Sequence, residues 1–464
     1  MSLSIHPISP YPVTGPVPGL AGQLVLPGDP GFDQARQAWN LAVDQRPAAV
    51  VVPESPADVA AAVRYAAERG LRIAPQGTGH NAGPLGSLAD TVLLRTGRMR
   101  AVRIDPRARI ARVEAGAVWL DVVNAAARHG LAALAGSSPD VGVAGYTLGG
   151  GVGFLGRKYG LAASSVQAIE VVTADGRLRR ADQEREPDLF WALRGGGGSF
   201  GVVTALELRL FPLAEAYAGV LWYPIGRGPE VLRTWGDLTR GGPPDELTTV
   251  GRFLRLPEVP HIPAEIRGKS FVIVEACHIG DPEQADELLA PLRALGPVRD
   301  TIATVPVPAL SHLHMDPEQP VPGAGDGLML RDLPAEAVDS FVSAAGAGAA
   351  FPLLSAELRH LGGELARPRP GNGALASIDA QYSLYAVGMT PRPDMVAPVR
   401  AQVEAVRAAL APWAAQQMYL NFADTRRGAP EFWTGPAYQR LRQIKAAVDP
   451  GDLIRSNHPV PPAA

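Results

Sequence analysis

Three glycine-rich segments constrain this chain more than any other feature. They are residues 75–80 (PQGTGH), 142–151 (GVAGYTLGGG) and 194–201 (RGGGGSFG). Glycine at this density bares backbone N–H groups and permits positive φ, the conditions for wrapping main chain around phosphates. Three such loops, each beside an apolar run, point to one extended anionic cofactor. The alternative is three independent surface turns.

Their surroundings set the architecture. The apolar run 48–52 suits a buried strand. Ser55 fits an N-cap, Pro56 the first helical position and Asp58 the acidic start of a helix over 57–69 that stops at Gly70. A second strand, 71–74, then leads into the first glycine segment. Ligands bind at this end of the strands in open α/β sheets. Alternation predicts hairpins over 100–105 with 109–115 and over 166–174 with 178–181, and a strand over 201–211. An alanine-rich helix is expected over 118–128.

Beyond Ala214 the glycine loops stop. Strands are expected at 270–279 and 377–387, and helices at 282–295 and 394–410, the latter with an irregular first turn at Pro398. Residues 1–30, and residues 306–334 with their six prolines, read as irregular.

At 464 residues two domains are expected. A net charge of −3 without a basic block excludes a nucleic-acid partner. No apolar run is long enough for a membrane span, and residues 1–18 lack a secretory pattern, so a cytoplasmic location follows by default. The single cysteine, Cys277, excludes an intrachain disulfide and any multi-cysteine metal centre.

Residues 136–145 (GSSPDVGVAG), continuing through the triple glycine to 156–161 (GRKYGL), resemble the flavin loop of the berberine-bridge-enzyme-like oxidoreductases of the vanillyl-alcohol oxidase fold. Residues 188–198 (DLFWALRGGGG) and 449–457 (DPGDLIRSN) are similar to two further motifs of that family, in the family's order. The resemblance implies an α+β protein. A two-part FAD-binding domain, 1–212 and 412–464, would embrace an α+β substrate domain at 213–411. It implies FAD as cofactor and two-electron oxidation of a small organic substrate (alcohol, sugar or natural product) by hydride transfer to flavin N5. Oxygen is the expected acceptor, giving hydrogen peroxide. A dehydrogenase using another acceptor and a catalytically idle flavin- or ligand-binding protein are the alternatives. Nothing in residues 213–411 selects a substrate.

The same resemblance assigns residues. His80 is the expected covalent attachment to the flavin 8α-methyl carbon, with Gln76, Gly77, Thr78, Gly79 and Asn81 around the cofactor. Ser138 stands where many relatives carry a cysteine that forms a second link. Serine without an activating base is a poor nucleophile, so a single link is expected. Pro139 follows it, and Val141 occupies the position that gates oxygen. Gly142, Gly145 and the triple glycine Gly149, Gly150 and Gly151 are expected to bring main chain close to the flavin or pyrophosphate. Arg194 and Gly198 form a turn suited to phosphate, or to a helix C-cap. Val202, Asn421 and Asn457 are further expected contacts.

Tyr419 matches the Tyr-x-Asn motif and is a candidate base. A phenol serves as a base only when its pKa is lowered. Tyr382 and Tyr385 are rivals from the substrate domain, and relatives often carry an aromatic residue where this chain has Val152. Residues 151–156 fit G-x-G-x-x-G, but no strand precedes them and Gly160 interrupts any following helix, so a dinucleotide fingerprint is rejected. His312-x-His314, with Asp316 and Glu318, lacks helical ligand spacing and reads as a solvated loop, with no metal expected.

Overall fold

A computed structural model describes residues 15–260, 262–433 and 435–463. The first part of the irregular lead-in, residues 1–14, lies outside the described residues. Ala49–Val52 is almost wholly buried, and Pro56–Glu68 follows it as a helix. Ser55 Oγ accepts the Asp58 N–H at 3.2 Å, closing the expected N-cap. A four-stranded sheet runs in the order Gln23–Val25, Ala49–Val52, Thr91–Arg95, Arg72–Gln76, the last three parallel. Gln23–Val25 is a strand within the stretch read as irregular.

Both expected hairpins form, and Val202–Arg209 lies between them. The five-stranded antiparallel order is Val102–Asp105, Ile110–Glu114, Val202–Arg209, Val166–Val172, Leu178–Ala181. Helix Trp119–Ala127 packs Trp119, Val122 and Ala126 into the same core as Val113, Val171 and Leu206.

The third sheet has eight strands. Its main path is Arg299–Asp300, Glu215–Pro224, Ser270–His278, Leu247–Arg255, Ser355–His360, Tyr382–Met389, Gly323–Leu330, with Ala303–Pro306 also paired to Glu215–Pro224. Helices Gly228–Arg240, Pro282–Arg293, Ala335–Ala345 and Val396–Leu410 cover one face through Trp235, Leu289, Phe341 and Val403. A 3-10 turn, Pro393–Met395, precedes the last of these. Gly323–Leu330 corrects the irregular reading of 306–334. Its sequence, GAGDGLML, alternates too weakly to signal a strand, and the prolines before it end at Pro322.

The chain then returns to the first sheet. Ile73 N–H donates to Leu453 O at 3.0 Å, and Arg455 N–H to Ile73 O at 2.8 Å. Lys445, fully buried in helix Gly435–Val448, is neutralised by Asp449 at 2.5 Å and also donates to the carbonyls of Ser199 and Ile454. No described helix is long and apolar enough to cross a membrane.

Candidate active site

The first glycine segment leaves strand Arg72–Gln76 in a tight turn. Gly79 has φ 90°, and a Cβ there would lie 2.7 Å from Gln76 Nε2 and 3.1 Å from Ala38. Gln76 itself forms a reciprocal amide pair with Gln45 at 2.9 and 3.0 Å, so its side chain braces the turn. Trp39 stacks on the His80 ring at 4.1 Å, and Thr78 Oγ1 lies 2.8 Å from His80 Nδ1. His80 Nε2 is 3.4 Å from Asp140 Oδ1 without hydrogen-bond alignment, which leaves that nitrogen unsatisfied. Asp140 also accepts from Trp39 Nε1 and, at 3.2 Å, from Ser138 Oγ. Burial pushes the Asp140 carboxyl up, but His80, Trp39 and Ser138 more than offset it and hold the pKa below its ordinary value.

The second segment lies against the first. Pro139 and Val141 offer their carbonyls to the Leu120 and Trp119 N–H groups at 2.9 and 3.0 Å, pinning the loop to the start of helix Trp119–Ala127. Gly142 faces Thr78, and Gly145 is exposed with open space where a Cβ would point. The triple glycine is tightly packed: a Cβ at Gly149 would meet Asn421, one at Gly150 Leu375, and one at Gly151 Tyr146 and Ala162. Residues 151–156 follow helix Val143–Leu148, not a strand.

Tyr419 sits 4% exposed at this junction. Its hydroxyl accepts the Val152 N–H at 2.9 Å and Asn421 Nδ2 at 3.0 Å, which occupies both lone pairs and leaves only its proton to offer. Burial outweighs these bonds and pushes its pKa up to about 12. Tyr419 holds its proton in this structure, which weighs against its reading as a base. The Tyr146 hydroxyl is buried without a partner, and burial with Tyr419 nearby holds its pKa well above the usual value.

The two rival tyrosines part company. They stand three positions apart on one strand, so period-two alternation sends them to opposite faces. Tyr382 lies among the covering helices, 2.8 Å from Thr239 Oγ1, and is removed as a candidate. Tyr385 lies on the other face, its ring 4.8 Å from Phe422, and donates to Asp424 Oδ2 at 2.8 Å. Burial raises the Asp424 pKa to about 6 against the Tyr385 bond, with Asp326 adding to the rise.

On the face shared with Tyr385, three strands bring Arg252, Glu357 and Tyr385 into one register row. Arg359 projects beside them, 2.6 Å from Glu357 and 3.0 Å from Ser137 Oγ. His314 is 3% exposed, with Nδ1 2.7 Å from Glu275 and Nε2 2.6 Å from Glu357. Burial and Arg252 push His314 down, but Glu275 and Glu357 more than reverse them and hold it at about 9. Burial likewise works against the Glu357 charge, yet Arg359 and His314 hold its pKa well below the carboxylate range. The solvated reading of His312-x-His314 is thus half wrong. His312 is exposed beside Glu318, whereas His314 is the hub of a buried cluster. Among the described residues no group is suited to a metal ion.

These charged residues were not singled out by sequence reasoning, though a signal existed. Glu275 is the lone charge in the otherwise apolar run Phe271–Cys277, and Glu357 and Arg359 alternate with Ala356 and Leu358. The remaining expected contacts have structural partners. Val202 is wholly buried in the core between the first two sheets. Asn457 Oδ1 accepts the His458 N–H at 2.9 Å. Gly195, with φ 89°, ends helix Pro187–Leu193, and Gly197 N–H donates to Leu148 O, so the third segment is a cap packed on the second. Gly198 lies against Ser456.

A flavin site has to satisfy unpaired polar groups, and this junction supplies them. His80 Nε2, Asn81 Oδ1, the Tyr146 hydroxyl and Thr147 Oγ1 are all buried without partners. Among the described residues, the backbone N–H groups of Gly77, Thr78, Gly79 and His80 also meet no protein acceptor. The donor set fits an extended polar cofactor.

Comparison with known proteins agrees. Residues 47–182 match a family model described as an FAD binding domain, and residues 418–461 one described as berberine and berberine like. The (R)-6-hydroxynicotine oxidase of Paenarthrobacter nicotinovorans is 32% identical over 462 residues, covering 96% of this chain and 97% of that protein. The solved structure of 6-hydroxy-D-nicotine oxidase from Arthrobacter nicotinovorans matches with a TM-score of 0.80 at 27% identity, over 96% of this chain and 98% of that one. Physcomitrella patens BBE-like 1, at 21% identity, shares the fold with a TM-score of 0.82, over 96% of this chain and 98% of that one. Fold and site together define an FAD-dependent oxidoreductase of the vanillyl-alcohol oxidase type, with a two-part FAD-binding domain and an inserted α+β substrate domain. The chain belongs to the berberine-bridge-enzyme-like family of FAD-linked oxidoreductases and oxidises a small organic substrate.

Proposed function

We propose that the protein is an FAD-linked oxidase with the cofactor attached once, through His80. The observation that carries this reading is the cluster of unsatisfied groups on residues 77–81 and 142–147, held around a His80 ring clamped by Trp39, Thr78 and Asp140. Residues 77–81, Gly142 and Gly145 would hold the flavin, and Asn421 fixes Tyr419 with a 3.0 Å hydrogen bond. Ser138 is hydrogen-bonded to Asp140 and offers no second attachment. When bound, FAD would supply a two-electron acceptor for the substrate's hydride, with oxygen as the final acceptor giving hydrogen peroxide.

The protein's own part is to bind, orient and deprotonate. Tyr419 donates its remaining proton to a bound oxygen or nitrogen acceptor. The Arg252–Glu357–Arg359 face orients polar groups of the substrate. Burial and Asp424 hold the Tyr385 pKa well above the usual value, so Tyr385 is a relay and not the base: it accepts the substrate's O–H or N–H proton only as its own passes to Asp424, whose pKa of about 6 suits a base at neutral pH. Val141 borders the oxygen path. The 6-hydroxynicotine and oligosaccharide oxidases among the relatives make cyclic amines and sugars the first substrates to screen.

Acid denaturation followed by intact-mass measurement tests the core of this proposal. Retained yellow colour and a mass raised by one FAD, lost in His80→Ala, are expected. Covalent flavin that survives His80→Ala, or a cysteinyl-flavin peptide at Cys277, overturns the attachment. Turnover without peroxide overturns the oxidase reading.

A further inference from the structure

The third glycine segment borders a site that the oxidation reading does not use. Arg194 is only 5% exposed, yet meets no carboxylate. Its Nε donates to the Phe190 carbonyl at 3.3 Å, and its guanidinium lies 4.0 Å over the Phe190 ring. Its Nη groups have no protein acceptor among the described residues. Burial, unopposed by any negative partner, lowers its pKa to about 10.

Arg194 lines a cleft of about 490 Å³. Four arginines border this space, Arg194, Arg209, Arg367 and Arg369, against one carboxylate, Glu364. Glu364 is already taken by Arg369 at 2.7 Å and by Arg367 at 3.4 Å, and Arg367 also meets Asp245 at 2.5 Å. Arg209 rests 4.9 Å from the Phe211 ring with no ion pair among the described residues. Two guanidinium charges, one deeply buried, therefore lack a counter-charge. A buried cation without a partner is costly, and the planar guanidinium fork matches carboxylate and phosphate oxygens.

We propose that this cleft is an oxyanion site, taking a small molecule that bears a carboxylate or phosphate on Arg194 and Arg209. None of its lining residues belongs to the first two glycine segments, although Tyr159, Gly160 and Leu161 end the stretch that resembles the flavin loop, so the cleft adjoins the proposed flavin cradle without sharing those segments. It is built from both halves of the protein, residues 159–167, Arg194 and Arg209 on one side and the loop 367–376 on the other. That loop is clipped to the helix end by Ala374 N–H to Trp191 O at 3.1 Å, and Leu375 packs in one cluster with Val152 and Tyr419. An anion held by Arg194 braces the loop that backs Tyr419.

The test is calorimetric titration of the flavin-containing protein with inorganic phosphate, and separately with succinate, at an ionic strength fixed with chloride. Saturable binding is expected, weakened at least tenfold in Arg194→Gln and only partly restored in Arg194→Lys. Tighter phosphate binding assigns a phosphate ester, tighter succinate binding a carboxylate. Should Arg194→Gln fail to fold, Ser164→Asp places a carboxylate in the cleft and is expected to abolish anion binding with flavin absorbance unchanged. Absence of saturable binding to the flavin-loaded wild type, or equal affinity in both the Arg194→Gln and Ser164→Asp proteins, overturns the proposal. Binding confined to flavin-free protein overturns it too, because the cleft would then be part of the cofactor's own site.

Discussion

The two faces of the eight-stranded sheet are written on the same strands, residue by alternate residue, and obey opposite rules. On one face Ala356, Leu358, Leu384 and Ala386 meet four helices and form an apolar core. On the other, Arg252, Glu275, Glu357 and Arg359 are equally buried but meet one another and His314. The first face is stabilised by area removed from water, at about 25 cal/mol per Å². The second also carries an apolar cluster, Val220, Trp222, Leu254, Phe271 and Ile273, but its charged residues gain no such term and persist only because each has a partner. A fold that needed stability alone would place apolar residues there. Buried charge on the side that meets Ser137 and Tyr385 therefore supports the proposal that this face handles ligand.

The largest effect expected from this contrast comes from Glu357→Gln. It leaves Arg359 and His314 buried without their shared carboxylate, at a cost of about 3–5 kcal/mol. Leu358→Ala, the next residue on the opposite face, costs about 2–5 kcal/mol as a cavity. Urea unfolding at several pH values separates two losses of similar size. The Glu357→Gln deficit should vary with pH because its partner titrates, and the Leu358→Ala deficit should not. A Glu357→Gln cost below about 1 kcal/mol at neutral pH would sink the claim that the cluster is tightly coupled.

A somewhat smaller effect follows from His314. Its folded pKa of about 9 lies above the ordinary 6.5, so its contribution is fully present below pH 6.5 and is lost as pH rises through 9. The loss amounts to about 3–4 kcal/mol over that window. His314→Gln should flatten the profile there, whereas Leu358→Ala should keep its shape. An unchanged slope in His314→Gln would move the titration to another group.

The reach of the sequence followed the same division. The strand–helix–strand unit, both hairpins and the Ser55 cap were legible because each rests on local spacing and capping chemistry. The glycine segments pointed to the FAD-binding domain, but not to which glycines are pressed by other side chains. Only packing reveals that Gly149, Gly150 and Gly151 are pressed by Asn421, Leu375 and Tyr146, and that Gly195 ends a helix. Tyr382 and Tyr385 were separable in principle, since an odd spacing along a strand puts them on opposite faces. The clamp on His80 was not, because Trp39 and Asp140 come from segments 101 positions apart. His314 was beyond local reasoning for a similar reason. Its partners, Glu275 and Glu357, lie on two strands that sequence order does not place beside the loop.

The smallest effect is the most diagnostic, because it asks stability and chemistry to move in opposite directions. Asp424 sits at the edge of the charged face with a folded pKa of about 6, above the ordinary 3.8. The folded state therefore holds this proton more tightly than the unfolded chain, and stability falls as pH rises from about 4 through 6. At pH 7 the half-buried carboxylate is a liability of about 3 kcal/mol. Asp424→Asn keeps an oxygen for the Tyr385 hydroxyl and removes the charge. It should be more stable than wild type at pH 7 by that amount, with the gain vanishing by pH 4. In the same protein the rate of anaerobic flavin reduction by substrate should fall at least tenfold, since the proton passed through Tyr385 has lost its acceptor. A stabilised variant that reduces flavin at the wild-type rate would leave Asp424 as a buried charge with no part in the reaction. A destabilised one would show that the carboxylate is held for structure.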